Sequence, residues 1–173
     1  MTKQVTIDSV LVRDFSKLGL LPPFLNLSSE MQITSTACDC IEFAPEVVTY
    51  ASPLMGKLYV ATLTYDELFE AFALGVAFEG LSYGDYTVLY MARRDGTILI
   101  TGDLRVSKVA ASMNITVYDY LWAFCEMVKA GQLALDEAII KYHELAKSVN
   151  KLAIWAEPAI ALREAYSDYK QIA

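Results

Sequence analysis

The 173-residue sequence is 55% hydrophobic and 20% charged, with a formal net charge of −7. This size favours one domain with a single core, and no run approaches the roughly 18 consecutive apolar residues that predict a membrane span. The negative charge excludes a broad basic surface for nucleic acid, since phosphate binding over a wide area needs an excess of Lys and Arg.

The N-terminal sequence and the cysteines predict a cytoplasmic protein. The opening residues MTKQVTIDSV lack the long apolar core of a signal peptide. Three cysteines, an odd number, favour reduced thiols. Cys38 and Cys40 are two apart and His143 is the single histidine, so no spacing typical of a zinc site is present.

The first elements in chain order are a strand and a helix. Residues 3–7, KQVTI, predict a strand that ends at Asp8. Residues 10–21 then repeat apolar side chains near the helical period, with Gly19 and Pro22-Pro23 ending the predicted helix.

The next part of the chain predicts two further strands, at residues 31–34 and 58–63. Between them, Thr34 caps a short predicted helix, which carries Asp39 and Glu42, and Pro45 begins another short helical segment. After the third strand, Thr64-Tyr65-Asp66-Glu67 has the form of a capping box. The helix that it starts has an apolar face made of Leu68, Phe69, Phe72 and Val76.

The stretch from 81 to 103, LSYGDYTVLYMARRDGTILITGD, is the most informative. Ser82 predicts the cap of a helix with Asp85 in its first turn, and Asp95-Gly96 ends it. Residues 97–100 form a short apolar run typical of a buried parallel strand. Asp103 follows that strand, where open α/β sheets place their ligands. Two carboxylates converging there repel each other unless a cation or a proton lies between them.

The rest of the chain is mainly helical. A short helix is predicted after Asp103, followed by a last strand at 115–118 and by helices over 120–130, 134–149 and from Pro158 to about 169. Strands alternating with helices predict one α/β domain with a parallel sheet over residues 1–118 and a helical C-terminal extension over residues 119–173.

Three motifs together resemble the PIN-domain family: the strand ending at Asp8, the phrase Leu81-Ser82-x-x-Asp85, and residues 100–105, ITGDLR. The C-terminal part, ITVYDYLWAFCEMVKAGQLALDEAIIKYHEL with NKL after it, is similar to bacterial VapC-like proteins of the toxin–antitoxin type. The resemblance implies a three-layer α/β/α sandwich around a parallel sheet of about five strands. It also implies a metal-dependent ribonuclease with an antitoxin partner.

The resemblance implies that acids hold Mg²⁺ or Mn²⁺, with Asp8, Asp85 and Asp103 as the first, third and fourth acids. Hard oxygen ligands are what such ions require, and a metal-bound water is a better nucleophile at neutral pH. The chain departs from the family pattern at Cys40, where a Glu is usual, and at Val10, where a small polar residue is common. Asp39 or Glu42 is the alternative donor for Cys40.

Further side chains are candidates for supporting roles near the acids. Ser9 and Thr101 are hydroxyl residues that can orient the metal ligands. Arg105 and Lys108 are the candidate phosphate contacts, with Arg93 and Arg94 as further local cations. The tyrosines at 83, 86 and 90 are candidates for stacking on bases.

Each acid also has a purely structural interpretation as a helix cap. Two other functions therefore stay open: a PIN-like binding module that has lost catalysis, and a nucleotide-binding or receiver-type α/β protein. The latter lacks GxGxxG and GxxxxGK[ST] motifs. The predicted C-terminal helices carry more aromatic surface than a lone domain needs, at Trp122, Phe124 and Trp155. This surface predicts a homodimer or a bound partner.

Overall fold

A computed structural model describes residues 4–28, 30–40 and 57–148, together with residues 160, 162–164 and 167. In these ranges the elements in chain order are β1 (Val5–Ile7), α1 (Ser9–Lys17), α2 (Leu21–Leu25), β2 (Met31–Thr34), α3 (Ser35–Asp39), β3 (Leu58–Ala61), α4 (Tyr65–Ala77), α5 (Tyr83–Asp95), β4 (Ile98–Ile100), α6 (Leu104–Ser112), β5 (Val117–Tyr118), α7 (Tyr120–Lys129) and α8 (Leu135–Ser148). The remaining described residues, from 160 to 167, are helical.

The five strands form one parallel sheet in the order β3-β2-β1-β4-β5. In the centre, Val5 pairs with Met31 on β2 and with Ile98 on β4. The chain leaves β1 toward β2 and later returns to the other side of β1 through β4. The strand order therefore reverses between β1 and β4, and the carboxyl ends of these two strands form the crevice where such sheets bind ligands.

Helices flank the sheet in a three-layer α/β/α arrangement, as predicted. Helix α5 packs against β1, β2 and β4, and its side chains at 88, 89 and 92 are buried in the core. Aromatic rings join α1, α2, α7 and α8, with Phe15 contacting Phe24, Tyr120 and Phe124, and Phe124 contacting Tyr142. The described part of the predicted C-terminal extension is thus helical and contributes to the main core.

The helix predicted over residues 10–21 is shorter than its apolar repeat: Gly19 ends it as predicted, but Pro22-Pro23 do not. Helix α1 ends at Lys17, and Gly19 takes a left-handed conformation with φ of 71°. The prolines at 22 and 23 lie in the first turn of α2, where a missing N–H costs little. The apolar repeat continues through the break because both short helices bury side chains in the same core.

Other differences concern the element ends. The strands predicted at 58–63 and 115–118 are limited to Leu58–Ala61 and Val117–Tyr118. The helical segment predicted from Pro45, the candidate Glu42 and the NKL sequence at 150–152 lie outside the described residues.

The aromatic surface predicted on the C-terminal helices is largely absent from their described part. Phe124 is fully buried, so its expected role at an interface is wrong. Trp122 stacks on Tyr118 with ring centroids 4.5 Å apart, and Trp155 lies outside the described residues. None of the described helices has both the length and the apolar character required to cross a membrane.

Candidate functional site

Asp8 lies at the carboxyl end of β1 and is fully buried. Thr101 donates a hydrogen bond from its hydroxyl to Asp8 Oδ2 over 2.6 Å, and the Ser9 hydroxyl lies 3.3 Å from Asp8 Oδ1. Asp8 occupies the N-cap position of α1, but its side chain makes no capping hydrogen bond. Its hydrogen bond with Thr101, at the end of β4, places the Asp8 carboxyl at the β1–β4 crevice.

Burial raises the pKa of Asp8 to about 6, and the hydrogen bond from Thr101 opposes this effect only in part. The negative charges of Asp85 and Asp103 raise the pKa further. These are the two other acids that the sequence predicts for the site. The fold thus brings Asp85 and Asp103 within electrostatic reach of Asp8, although Asp8 and Asp85 are 77 positions apart in the sequence.

Asp85 is buried in the first turn of α5 and forms a capping box with Ser82. Its Oδ2 accepts a hydrogen bond of 2.7 Å from the Ser82 backbone N–H, and its own N–H donates to the Ser82 hydroxyl over 3.2 Å. The capping interpretation of Asp85 is confirmed. A carboxylate has about four acceptor positions, so this cap is compatible with a second interaction at the same side chain.

Asp103 is the N-cap of α6 and forms an ion pair with Arg105. Its Oδ1 accepts from the Arg105 backbone N–H over 2.7 Å, and its Oδ2 lies 2.9 Å from Arg105 Nη2. Arg105 also donates to the Gly80 carbonyl over 2.9 Å, which ties the start of α6 to the loop before α5. The Asp103 backbone N–H donates to the Thr101 hydroxyl over 3.0 Å, so this hydroxyl connects Asp103 with Asp8.

Cys40, at the position where the resemblance predicts a Glu, lies beside Gly84, which precedes Asp85. A Cβ atom placed on Gly84 would lie 3.2 Å from Cys40 Sγ and 3.1 Å from Ala37 Cα. The end of α3 is therefore packed against the first turn of α5. Cys40 and Asp39, the last residue of α3, are both exposed, and Glu42 is not among the described residues.

The candidate substrate-binding cations are distributed over both ends of α5. Arg105 and Lys108 are exposed on α6, and Arg105 contacts Asp103. Arg93 and Arg94 lie in the last turn of α5, about 12 Å along the helix axis from Asp85 at 1.5 Å per residue. Arg94 is paired there with Glu67 and Asp95.

Of the three tyrosines considered for base stacking, Tyr86 is unsuitable. It is buried, and its hydroxyl donates to the Phe78 carbonyl over 2.7 Å. Tyr83 is 68% exposed, and the ring of Tyr90 lies under the Arg94 guanidinium at 5.9 Å. Tyr83 is the one that lies next to the acids in the sequence and is open to solvent.

A buried pair at the base of the crevice is not predicted from the sequence. Tyr120 donates its hydroxyl to Asp14 Oδ2 over 2.6 Å, and Asp14 also accepts from Arg13 Nε over 3.0 Å. The Tyr120 ring lies so close to Gly102 that a Cβ there would be 2.0 Å from Tyr120 Cε2. The ring thus supports the turn between Thr101 and Asp103. In the sequence, the only feature that points to this pair is Asp14 itself, an acid on the apolar face of α1.

The three acids fit a divalent cation in donor chemistry. Carboxylate oxygens are the ligands that Mg²⁺ and Mn²⁺ prefer, and a cation would offset the cost of ionising Asp8 in a buried, acidic setting. As the side chains stand, no group of three or more His, Cys, Asp or Glu residues in the described ranges is placed to hold a metal ion. Binding of a metal ion by these acids would therefore require their side chains to move from the positions they hold here.

Neither the models of protein families nor the curated proteins give a match to this chain. The functional assignment accordingly depends on the residues of the crevice, on the fold that assembles them, and on the sequence motifs that resemble PIN domains. Among these, the environment of Asp8 is the most informative, because burial and two neighbouring acids all raise the pKa of this one carboxyl group.

Proposed function

We propose that this protein is a metal-dependent endoribonuclease of the PIN type, in which Asp8, Asp85 and Asp103 hold Mg²⁺ or Mn²⁺. The observation that carries the proposal is the buried Asp8 carboxyl at the reversal of strand order, with its pKa raised to about 6 in the field of two further acids. Such strongly perturbed groups in a crevice are typical of functional sites.

The side chains around the acids have distinct roles in this proposal. Thr101 fixes the orientation of Asp8 through its 2.6 Å hydrogen bond, and Ser9 supports the other carboxylate oxygen. Arg105 is the cation nearest the acids in the sequence and is available for a substrate phosphate once Asp103 turns to the metal. When bound, the metal would supply an activated water for attack on the phosphodiester.

RNA as the substrate, an antitoxin as the partner and a homodimer as the assembly belong to the proposal through the PIN resemblance. The net charge of −7 agrees with a local contact to RNA through a few side chains, because a wide phosphate-binding surface would need a basic face.

A second candidate function is a PIN-like binding module without catalysis. Two observations favour it: Cys40 lies beside Gly84 in the place where a Glu is usual, and Asp103 is paired with Arg105. In this case the acids act as helix caps, and the protein works through its partners.

Calorimetric titration of Mn²⁺ distinguishes the two functions. For the nuclease we expect binding in the micromolar range that Asp85→Asn or Asp103→Asn weakens at least about tenfold, as expected for removal of one ligand. Asp66→Asn is the matched control, because Asp66 is an exposed acid in the first turn of a different helix. Binding that is absent in the wild type, or equally weakened by the control, would favour the binding module. A positive titration is followed by a cleavage assay on RNA with Asp8→Asn as the inactive variant.

A further inference from the structure

Arg105 connects the two elements that carry Asp85 and Asp103. Its guanidinium donates from Nη2 to Asp103 Oδ2 over 2.9 Å, and its Nε lies 3.3 Å from Asp103 Oδ1. A third donor, Nη1, bonds to the Gly80 carbonyl over 2.9 Å. Gly80 lies in the loop before α5, the helix that contains Asp85 in its first turn. A single side chain therefore holds the start of α6 to the loop that leads into α5.

The geometry of this ion pair is more favourable than that of an ordinary surface pair. The side chain of Asp103 is only 12% exposed, although that of Arg105 is 58% exposed. Most surface ion pairs contribute little to stability, but a two-point contact between a guanidinium and a carboxylate is an exception. The backbone N–H of Arg105 also donates to Asp103 Oδ1 over 2.7 Å. Main chain and side chain of Arg105 therefore both hold the Asp103 carboxylate in place.

The positive charge of Arg105 acts on more than one acid of the crevice. The hydrogen bond and the charge of Asp103 are the main influences that raise the pKa of Arg105, and the charge of Asp85 adds to them. Burial raises the pKa of Asp8 most, and the same two acids raise it further. A nearby cation stabilises the charged form of carboxylates that otherwise repel each other. Arg105 is such a cation, and it belongs to the chain itself.

A divalent cation at Asp103 would meet this guanidinium. Two positive charges at one carboxylate repel each other. The guanidinium contacts Oδ2, whereas Oδ1 accepts the hydrogen bond that caps α6. A metal ion that approaches Oδ2 therefore opposes the contact between Asp103 and Arg105.

We propose that Arg105 is a positioning residue that competes with a divalent cation for Asp103 and thereby sets the affinity of the acid crevice for the ion. This inference rests on the proposed nuclease function, because it gives Asp103 a place among the metal ligands. Without an ion, Arg105 neutralises part of the acid charge and holds Asp103 in its capping orientation. When an ion binds, the guanidinium leaves Asp103, and the loss of this ion pair makes binding of the ion less favourable.

Calorimetric titration of the full chain with Mn²⁺ tests the proposal. Arg105→Gln removes the competing charge and keeps an amide that can donate to the carboxylate. We expect this variant to bind Mn²⁺ about fivefold more tightly than the wild type, which is the effect of an ion pair worth about 1 kcal/mol. Arg105→Lys keeps the charge but loses the two-point contact, so its affinity should lie between those of the other two proteins.

Arg94→Gln is the matched control. Arg94 forms the same two-point contact with Asp95, over 2.7 Å from Nε and 3.0 Å from Nη2, at the far end of α5. This variant changes the net charge by the same amount, but the affinity for Mn²⁺ should change less than about twofold, because exposed charges beyond a Debye length are largely screened. In the Asp103→Asn background, Arg105→Gln should bring no gain, because the shared carboxylate is absent.

Two results separate this inference from the nuclease proposal. If the wild type binds Mn²⁺ and Arg105→Gln binds it equally or more weakly, or if Arg94→Gln gains as much, then Arg105 does not compete with the ion. The metal site would then stand without this role for Arg105. If neither the wild type nor Arg105→Gln binds Mn²⁺, the acids are not a metal site, and both proposals fail.

Discussion

When the chain folds, the Asp8 carboxyl at the end of β1 loses its contact with water and gains hydrogen bonds from hydroxyl groups. Its pKa is raised from 3.8 to about 6, mainly by burial. The folded chain therefore binds this proton more tightly than the unfolded chain does. As a result, the contribution of Asp8 to stability is greatest below about pH 4 and falls as the pH rises through 6.

Asp8→Asn removes the charge while keeping an acceptor for Thr101. We expect the free energy of unfolding near neutral pH to increase by up to about 3 kcal/mol, which corresponds to a shift of about two pKa units. The gain should disappear below about pH 4, where the wild-type carboxyl is protonated in both states. Urea denaturation at the two pH values measures this difference. A variant that is less stable than the wild type at neutral pH would show that burial is not the dominant influence on Asp8.

Gly102→Ala tests the support of the crevice by Tyr120. The added Cβ would lie 2.0 Å from the ring, so the ring or the turn must move, at a cost of about 1–3 kcal/mol. Tyr120→Leu removes part of the obstacle but also removes the hydrogen bond to Asp14. In a double-mutant cycle followed by thermal unfolding, the two changes should be less destabilising together than the sum of the single changes. Additive effects would contradict the close contact.

At the level of elements, α4 and α5 both begin with a capping box, but the surroundings of the two boxes differ. Thr64 with Glu67 and Ser82 with Asp85 both form complete capping boxes. In the first box Thr64 is exposed and Glu67 half-buried, whereas Asp85 is buried beside the crevice. The pair therefore offers an internal comparison between a cap that lies away from the candidate site and one that borders it.

Ser82→Ala and Thr64→Ala should each lower the free energy of unfolding by about 1 kcal/mol, the usual cost of a lost N-cap. If Asp85 is a metal ligand, only Ser82→Ala should change the affinity for Mn²⁺, because it alters the orientation of that carboxylate. Chemical denaturation and calorimetry on the two variants measure these effects. An equal change of metal affinity in both variants would argue against a role for Asp85 in metal binding.

The sequence predicts local features of these elements better than their contacts. Capping boxes and buried strands are visible because a few neighbouring residues determine them. Gly19 predicts the break after Lys17, but the continuing apolar repeat does not reveal that Pro22 and Pro23 lie at the start of α2. The contact between Asp14 and Tyr120 joins residues 106 apart, which no local pattern reveals. Likewise, the apolar face predicted for α4 is present, but periodicity does not indicate whether the rest of the protein covers it.

For the molecule as a whole, the charge of −7 limits how it can hold RNA. With Arg105 and Lys108 as the phosphate contacts, a plot of log affinity against log salt concentration should have a slope of only about −1 to −2. Arg105→Gln should reduce the slope by about one, whereas Arg93→Gln, at the far end of α5, should leave it unchanged. Binding of single-stranded RNA over a series of KCl concentrations measures the slope. A slope steeper than about −4 would require cations outside this pair.

The hydrogen bond between Thr101 and Asp8 joins two residues that are 93 positions apart, and it depends on the pairing of β1 with β4. During synthesis, β1 leaves the ribosome long before β4 exists. A nascent chain therefore carries Asp8 without Thr101 or Asp103, and it holds no acid crevice. Contacts of such long range form late and together, so the crevice appears in one step when the central strand pair closes. Any opening of that pair in the finished protein dismantles the whole crevice at once.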